Sequence, residues 1–296
     1  MVCGVVLWLV SVRSSPGLAA ELPLRVIVDQ HVAAGWDARG VTPSEAASAA
    51  EFLRRVSLDL TGTVPDSAQV RAFLDDREPQ KRTTLVDRLL DSPACARHLQ
   101  HVFDVMLMER LPGGFLTERE WQKYLHASFV ANKPWDQLVR ELLGADGNDP
   151  ATRGAIRWLM IRNYGGRQRL VPTKISRDIG RMFLGMNLQC AECHDHPHID
   201  DYKQADFHGL AAFVNRTQIV NVRRNNRGFL LLAENADGDI KYKSVFIPKA
   251  GEQMARPHLP GENELTEPVF DDGKAYEVAP KAGVQQVPYY SRRAEL

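Results

Sequence analysis

The feature that most constrains this chain is a short stretch, 188–198, that reads LQCAECHDHPH. It contains two cysteines three positions apart with a histidine directly after the second, which is the attachment pattern of c-type haem. The thiols of Cys190 and Cys193 can each add to one vinyl group, and His194 can then reach the iron from one face. The stretch therefore predicts covalent haem c at both cysteines, with His194 as the proximal ligand.

Two other interpretations of the same stretch stay open. His196 and His198 follow the two thiols, and zinc accepts mixed cysteine and histidine ligands, so Cys190, Cys193, His196 and His198 form an alternative zinc set. The two cysteines could also form a disulfide or a redox pair in an exported protein. Only the haem interpretation explains why a histidine follows Cys193 directly.

The sixth iron ligand is less constrained by the sequence than the proximal one. His208 is a weak candidate, because a helix beginning near Gln204 could bring it back over the iron. The thioether candidates, which would raise the reduction potential, are Met182, Met186 and Met254. Each of these residues is individually of a type that more often packs in a core or lies at a surface than binds a metal.

An acidic set accompanies the histidines and has two interpretations. Its members are Asp195, Asp200, Asp201 and Asp206. They could orient His196 or coordinate a hard cation. The alternative, which we favour from the sequence, is a solvated and capped loop that leads into the next helix.

The first twenty residues predict an export signal. The apolar run from Val2 to Val10 is too short to span a bilayer, and it leads to a small-residue cleavage site at Leu18-Ala19-Ala20. No Lys or Arg precedes the run, which departs from the usual pattern. Export to the periplasm or cell envelope fits a protein whose haem is attached outside the cytoplasm. After cleavage, the sequence predicts no integral membrane span.

The balance of charge in the chain bears on what it could bind. The chain has 37 Lys and Arg residues and 37 Asp and Glu residues among 296, so no overall field favours nucleic acid or an anionic membrane. A redox partner protein of unknown identity is the expected partner. Cys95 is predicted to be a buried apolar residue, although it could pair with a motif cysteine if no haem is present.

Helix signals dominate from about residue 22 to 215. The helix predicted over 24–39 ends at Gly40, which can take the left-handed conformation that closes a helix. Asp66 with Gln69 predicts a capping box at another helix start. The second helix is predicted to begin either at Ser48 with Glu51 or earlier, at Thr42 with Pro43 and Glu45. Further helix starts are predicted at Thr117 with Glu120, Ser92 with Pro93, Pro134, Pro172 and Gln204.

The character of the chain changes after about residue 216. Strands are predicted over 219–222, 229–232 and 241–247, with Asp237-Gly238 as the hairpin turn between the last two. Past Pro248 the chain is rich in proline, glycine and charge, which predicts irregular structure. The fold class is therefore mainly α: a helical domain over 21–215 that carries the CxxCH motif, with a small β-containing C-terminal extension over 216–296.

Two segments resemble a bacterial family, the planctomycete-type cytochrome-associated (PSCyt-type) domain of unknown function. The first comprises 52–62, Val64-Pro65, 85–90 and Ser92-Pro93, and the second comprises 183–185, 188–197, Gln204, Asp206 and 210–213. The likeness covers roughly residues 24–215. The resemblance implies an exported protein and supports haem c at Cys190 and Cys193 with His194 as ligand, but it implies no settled enzymatic activity.

The chain departs from that family pattern at several positions. Tyr202 stands where the family usually has Trp, His198 where Phe is common, and Cys95 where an aromatic residue is usual. The chain also ends before the usual downstream domain, which is consistent with an incomplete extension.

The sequence supports two functions from different classes. The first is an exported haem protein with an electron-transfer or redox role. The second is an exported metal-dependent hydrolase or binding module with zinc at the alternative set, and a scaffold stapled by a Cys190–Cys193 disulfide is a third option. The sequence has no recognisable Ser-His-Asp catalytic set, so it does not decide whether any substrate is turned over.

Overall fold

The computed structural model describes residues 22–111, 118–163, 170–247, 249, 251–271 and 273–296, apart from the side chain of Arg224. The predicted export signal over 1–20 and the predicted cap residue Thr117 lie outside the described residues. Within the described ranges, no helix combines the length and the apolar character that a membrane crossing requires.

The chain divides into two compact units, Met1–Phe52 and Leu53–Leu296. In the first unit, α1 (Leu24–Arg39) ends at Gly40, whose φ of 63° is the left-handed conformation that the sequence predicted. None of the residues of α1 is buried. Of the two predicted starts of the second helix, the structure has the one at Ser48, whose hydroxyl accepts the backbone N–H of Glu51 at 3.2 Å.

The second unit is built mainly from α-helices. After α2 (Ala49–Thr61), which contains the unit boundary, the helices are α3 (Ser67–Asp75), α4 (Lys81–Leu90), α5 (Pro93–Met108), α6 (Glu118–Val130), α7 (Trp135–Gly144), α8 (Arg157–Ile161), α9 (Pro172–Phe183) and α10 (Gln204–Val214). The capping box at Asp66 and Gln69 is present with both of its hydrogen bonds, at 2.8 and 2.9 Å. Local hydrogen bonding thus begins α3 where the sequence predicted.

The core lies among α5 to α10. Its largest fully buried side chains include Trp121, Trp158, Phe207 and Phe213. Helix α10 is buried over nearly all of its length, and it packs against α9, β3 and β4. A helix covered on all sides must be apolar all round, which explains the run from Leu210 to Val214. Cys95 is only 2% exposed, so the prediction of a buried cysteine is confirmed.

The strands predicted over 219–222 and 229–232 lie within two longer strands that pair with each other as a hairpin. β1 (Thr217–Arg224) pairs antiparallel with β2 (Arg227–Glu234), and Asn225 and Asn226 make the turn with φ of 50° and 59°. Asparagine tolerates these left-handed angles better than other side chains, so Asn-Asn can serve as a two-residue hairpin turn. The prediction of a hairpin turn at Asp237-Gly238 was therefore wrong.

The remaining strands are short. β3 (Ile240–Tyr242) pairs antiparallel with β4 (Gln253–Ala255), so the strand predicted over 241–247 ends at Tyr242. β5 (Tyr276–Val278) pairs with β6 (Val287–Pro288), within the tail that the sequence predicted to be irregular. The described chain is thus mainly helical with a small β part near its C-terminus, as predicted.

A buried ion network fastens the C-terminal tail. The Arg292 guanidinium is only 1% exposed and donates to Glu267 at 2.6 Å and to Asp239 at 2.7 Å. Arg216, directly before β1, donates to the same Glu267 at 3.1 Å. Burial alone would raise the pKa of Glu267, but the hydrogen bond and charge of Arg292, with the charge of Arg216, lower it.

Candidate functional site

The CxxCH stretch lies between α9 and α10. Leu188 and Ala191 are at most 1% exposed and anchor the stretch to the core. Cys190 and Cys193, by contrast, are exposed free thiols. Residues Cys190–Glu192 form a single 3₁₀ turn, closed by the Cys193 N–H donating to the Cys190 carbonyl at 3.2 Å. The turn therefore presents both thiols at the surface from one short piece of backbone.

The His194 ring is held in one orientation by the backbone of the next residue and by an aromatic neighbour. Its Nδ1 lies 2.7 Å from the carbonyl oxygen of Asp195. A carbonyl can only accept, so Nδ1 carries a hydrogen, and in the neutral ring Nε2 keeps its lone pair. The imidazole also packs against the ring of Phe246, with 4.3 Å between centroids. His194 is therefore in the tautomer that binds a metal through Nε2.

His196 shapes the loop after the motif. Its Nδ1 accepts the backbone N–H groups of His198 and Ile199, at 3.2 and 3.1 Å. The backbone N–H of His196 donates to the Tyr202 carbonyl at 2.9 Å, and the rings of His196 and Tyr202 meet edge to face. His198 is exposed and lies 6.3 Å from His196 between ring centroids. Among the described residues, no three histidine, cysteine, aspartate or glutamate side chains are arranged so that they could hold a metal ion.

The acidic set is divided between structural contacts and the surface. The Asp195 carboxylate accepts the backbone N–H of Gln204 at 2.8 Å, so it satisfies a free donor at the beginning of α10. Asp206 lies 3.3 Å from Nε2 of His258. Asp200 and Asp201 are exposed. The capped loop that the sequence analysis favoured matches the contact of Asp195.

His208, the weak candidate for sixth ligand, lies beneath the motif. It is 6% exposed, its ring stacks on Tyr242 at 4.4 Å, and its Nε2 donates to the Glu192 carbonyl at 3.1 Å. Its Nδ1 is buried and has no hydrogen-bond partner among the described residues. Burial lowers the pKa of His208, partly offset by the Glu192 hydrogen bond and charge. The imidazole of His208 therefore supports the backbone between the two cysteines. Its Nε2 is engaged in this hydrogen bond and is not free to bind a metal.

Comparison with known families places most of these residues in one domain. A family model described as PSCyt2, a protein of unknown function (DUF1549), matches residues 27–219. The chain belongs to this family. The match includes the whole motif and α10, but it ends near the beginning of β1. No curated protein and no solved structure gives a significant match.

The structure shows what two polar side chains of the PSCyt2 domain, Gln204 and Asp206, contact. The Gln204 amide donates to the carbonyls of Glu192 at 3.3 Å and Lys243 at 3.1 Å, so it joins the motif to the segment after β3. Asp206 reaches His258, whose Nδ1 donates to the carbonyl of Arg256 at 2.9 Å. Both side chains are thus contacts between α10 and chain that lies beyond the family match.

The sequence analysis missed the residues that the C-terminal part brings to the motif. The Val245 N–H donates to the Cys193 carbonyl at 3.1 Å, and Phe246 contacts His194. The only signal for them was an apolar run, which the analysis took for a strand. Tyr242 was likewise missed as the stacking partner of His208.

The three thioether candidates lie in different environments. Met182 and Met186 are partly buried against the main core, and the Met182 sulfur lies 3.5 Å from Nη2 of Arg162. Met254 lies in β4 and is 53% exposed. The sulfur of Met182 is thus already in contact with a buried cation, whereas within the described part of the chain Met186 and Met254 make no such contact.

Proposed function

We propose that this chain is an exported c-type haem protein that exchanges single electrons with a partner protein in the cell envelope. The observation that carries the proposal is the hydrogen bond from His194 Nδ1 to the Asp195 carbonyl at 2.7 Å. In the neutral imidazole this bond leaves the lone pair on Nε2, and a histidine that ligates a metal commonly donates its other ring N–H in this way.

The donor set fits haem c in its chemistry. Cys190 and Cys193 are exposed free thiols on one turn, and the ligand histidine follows directly. Each thiol would add across one vinyl group, with the sulfur forming the C–S bond and the hydrogen passing to the other vinyl carbon. This addition requires no oxidant. Burial of Leu188 and Ala191 fixes the turn from below, so both thiols stay accessible to the attachment machinery.

The surrounding residues would hold the ligand histidine and the turn in place. Bound haem would supply a one-electron Fe(III)/Fe(II) couple. His194 would ligate from one face, and its bond to the Asp195 carbonyl would fix the plane of its ring. His208 and Gln204 both donate to the Glu192 carbonyl, which restrains the turn between the two cysteines. Met186 and Met254 remain candidates for the sixth position.

Export and the redox partner are parts of the same proposal. Residues 1–20 have the pattern of an export signal, and the attachment of haem c takes place outside the cytoplasm. The equal numbers of acidic and basic residues give no reason to expect nucleic acid. A protein that exchanges electrons at an exposed motif instead requires a second redox protein.

The test is covalent haem in protein matured by a competent host. The chain is expressed with its N-terminal segment in a bacterium that carries the c-type maturation machinery, and a denaturing gel is stained for haem peroxidase activity. Wild-type protein and a Cys95→Ala variant should both carry the stain, because Cys95 is buried away from solvent. A Cys190→Ala/Cys193→Ala variant should lose it.

Folded wild-type protein without covalent haem would overturn the proposal. The same sample would then be examined by metal analysis and thiol titration. Stoichiometric zinc would support the alternative set at Cys190, Cys193, His196 and His198. Two missing thiols without a metal would support the disulfide-stapled scaffold.

A further inference from the structure

An exposed apolar strip follows β3. Its three consecutive residues, Val245, Phe246 and Ile247, are 59%, 70% and 60% exposed. Single exposed apolar side chains are common on protein surfaces, but several in succession leave a patch in water that usually has a partner. The strip therefore calls for an explanation beyond packing within this chain.

Two direct contacts fasten the apolar strip to the motif. The N–H of Val245 donates to the carbonyl of Cys193, and the ring of Phe246 packs on the imidazole of His194 at 4.3 Å. These are the second cysteine and the histidine of CxxCH. The strip thus borders the two motif residues that define where an attached group would lie.

A third contact fixes the backbone from which the strip departs. The Gln204 amide donates to the carbonyl of Lys243 and also to the carbonyl of Glu192. Gln204 is only 4% exposed and begins the buried helix α10. Backbone contacts to the core thus hold the strip beside the motif, while its three apolar side chains stay more than half exposed.

We propose that the apolar strip is one wall of the haem site, where it contacts the apolar macrocycle and shields the His194 face from water. This inference rests on the proposed function. It adds residues that lie outside 27–219, the range matched by the family model. The occupant is a flat apolar tetrapyrrole, because the thiols at the edge of the strip would hold that ligand.

The wall has a measurable electronic consequence. An apolar neighbour that excludes water disfavours the extra positive charge of Fe(III) and so raises the reduction potential. Phe246 contributes the largest side chain of the strip and contacts His194 directly. Its truncation should therefore lower the midpoint potential and admit water and small oxidants to the site.

The experiment compares matured Phe246→Ala with wild type, with Phe246→Leu and with Phe270→Ala. Phe270 is a matched control because it is also on the surface, at 37% exposure, and stacks with Tyr289. The readouts are haem stain, midpoint potential and the rate at which hydrogen peroxide bleaches the Soret band. Phe246→Ala should show a lower potential and several-fold faster bleaching, while Phe246→Leu and Phe270→Ala should match wild type.

The possible results separate this inference from the proposed function. Loss of haem stain in Phe246→Ala alone, with stain kept in the other variants, would also support the wall, because attachment would then depend on it. Covalent haem in Phe246→Ala with wild-type potential and bleaching would overturn the wall and leave the proposed function standing. Absence of haem from wild type would overturn both.

Discussion

The packing of α10 against His258 yields a prediction that runs against ordinary helix propensity. Gly209 lies inside α10, where alanine normally stabilises a helix by about 1 kcal/mol relative to glycine. A Cβ at this position would lie 2.4 Å from Cε1 and from Nδ1 of the His258 imidazole. Carbon atoms cannot approach so closely, so the ring would have to move. We therefore expect Gly209→Ala to destabilise the protein.

The magnitude follows from what holds the ring. His258 is 8% exposed, and its two nitrogens face Asp206 at 3.3 Å and the Arg256 carbonyl at 2.9 Å. Overpacking of a core costs about 2 kcal/mol, and weakened hydrogen bonds cost about 1 kcal/mol more. The gain in helix propensity offsets about 1 kcal/mol of this, which leaves a loss of about 2 kcal/mol. For a domain of this size, that loss lowers Tm by about 4–8 °C.

The assay is thermal unfolding followed by circular dichroism, with two controls. Gly144→Ala serves as the first, because a Cβ at Gly144 in α7 would have no neighbour within 4 Å, so Tm should stay constant or rise. In the second, Gly209→Ala is introduced into a His258→Ala background, where the clash is absent and the substitution should cost nothing. If Gly209→Ala lowers Tm equally in both backgrounds, the steric argument is refuted.

Two further predictions concern buried charged or titratable groups. The pKa of His208 in the folded protein lies below its ordinary value of 6.5, so as the pH falls His208 is protonated in the unfolded chain before it is protonated in the folded protein. Below pH 6.5, wild type should therefore lose stability relative to His208→Gln, by at most about 1.4 kcal/mol per pH unit. If urea unfolding gives a difference in unfolding free energy between the two proteins that does not change across this range, the buried neutral imidazole is contradicted. Arg292→Met should cost about 3 kcal/mol in urea unfolding at neutral pH, because Glu267 loses its principal buried partner. Since the pKa of Glu267 is lowered, this cost should shrink as the pH falls below 4.5, and a cost that is independent of pH would count against the pair.

Two predictions of helix ends that required only local information were confirmed. The end of α1 at Gly40 and the capping box at Asp66 and Gln69 depend on hydrogen bonds between residues three or four positions apart. The burial of Cys95 follows from its place on the apolar face of a helix. The turn predicted at Asp237-Gly238 was wrong although that dipeptide has a strong local preference for hairpin turns, because β2 pairs with β1 through Asn225-Asn226 and β3 pairs with β4.

The sequence by itself determined the mainly helical architecture, the helix ends at Gly40 and Asp66, and the spacing of Cys190, Cys193 and His194. The tertiary structure alone decided what surrounds that motif. Gln204 bonds to Lys243, which lies 39 positions further along the chain, and Val245 bonds to Cys193 across a comparable separation. Periodicity and spacing report neighbours within a turn or two of the chain. Contacts over such distances arise only when burial of α10 brings the segment after β3 back to the motif.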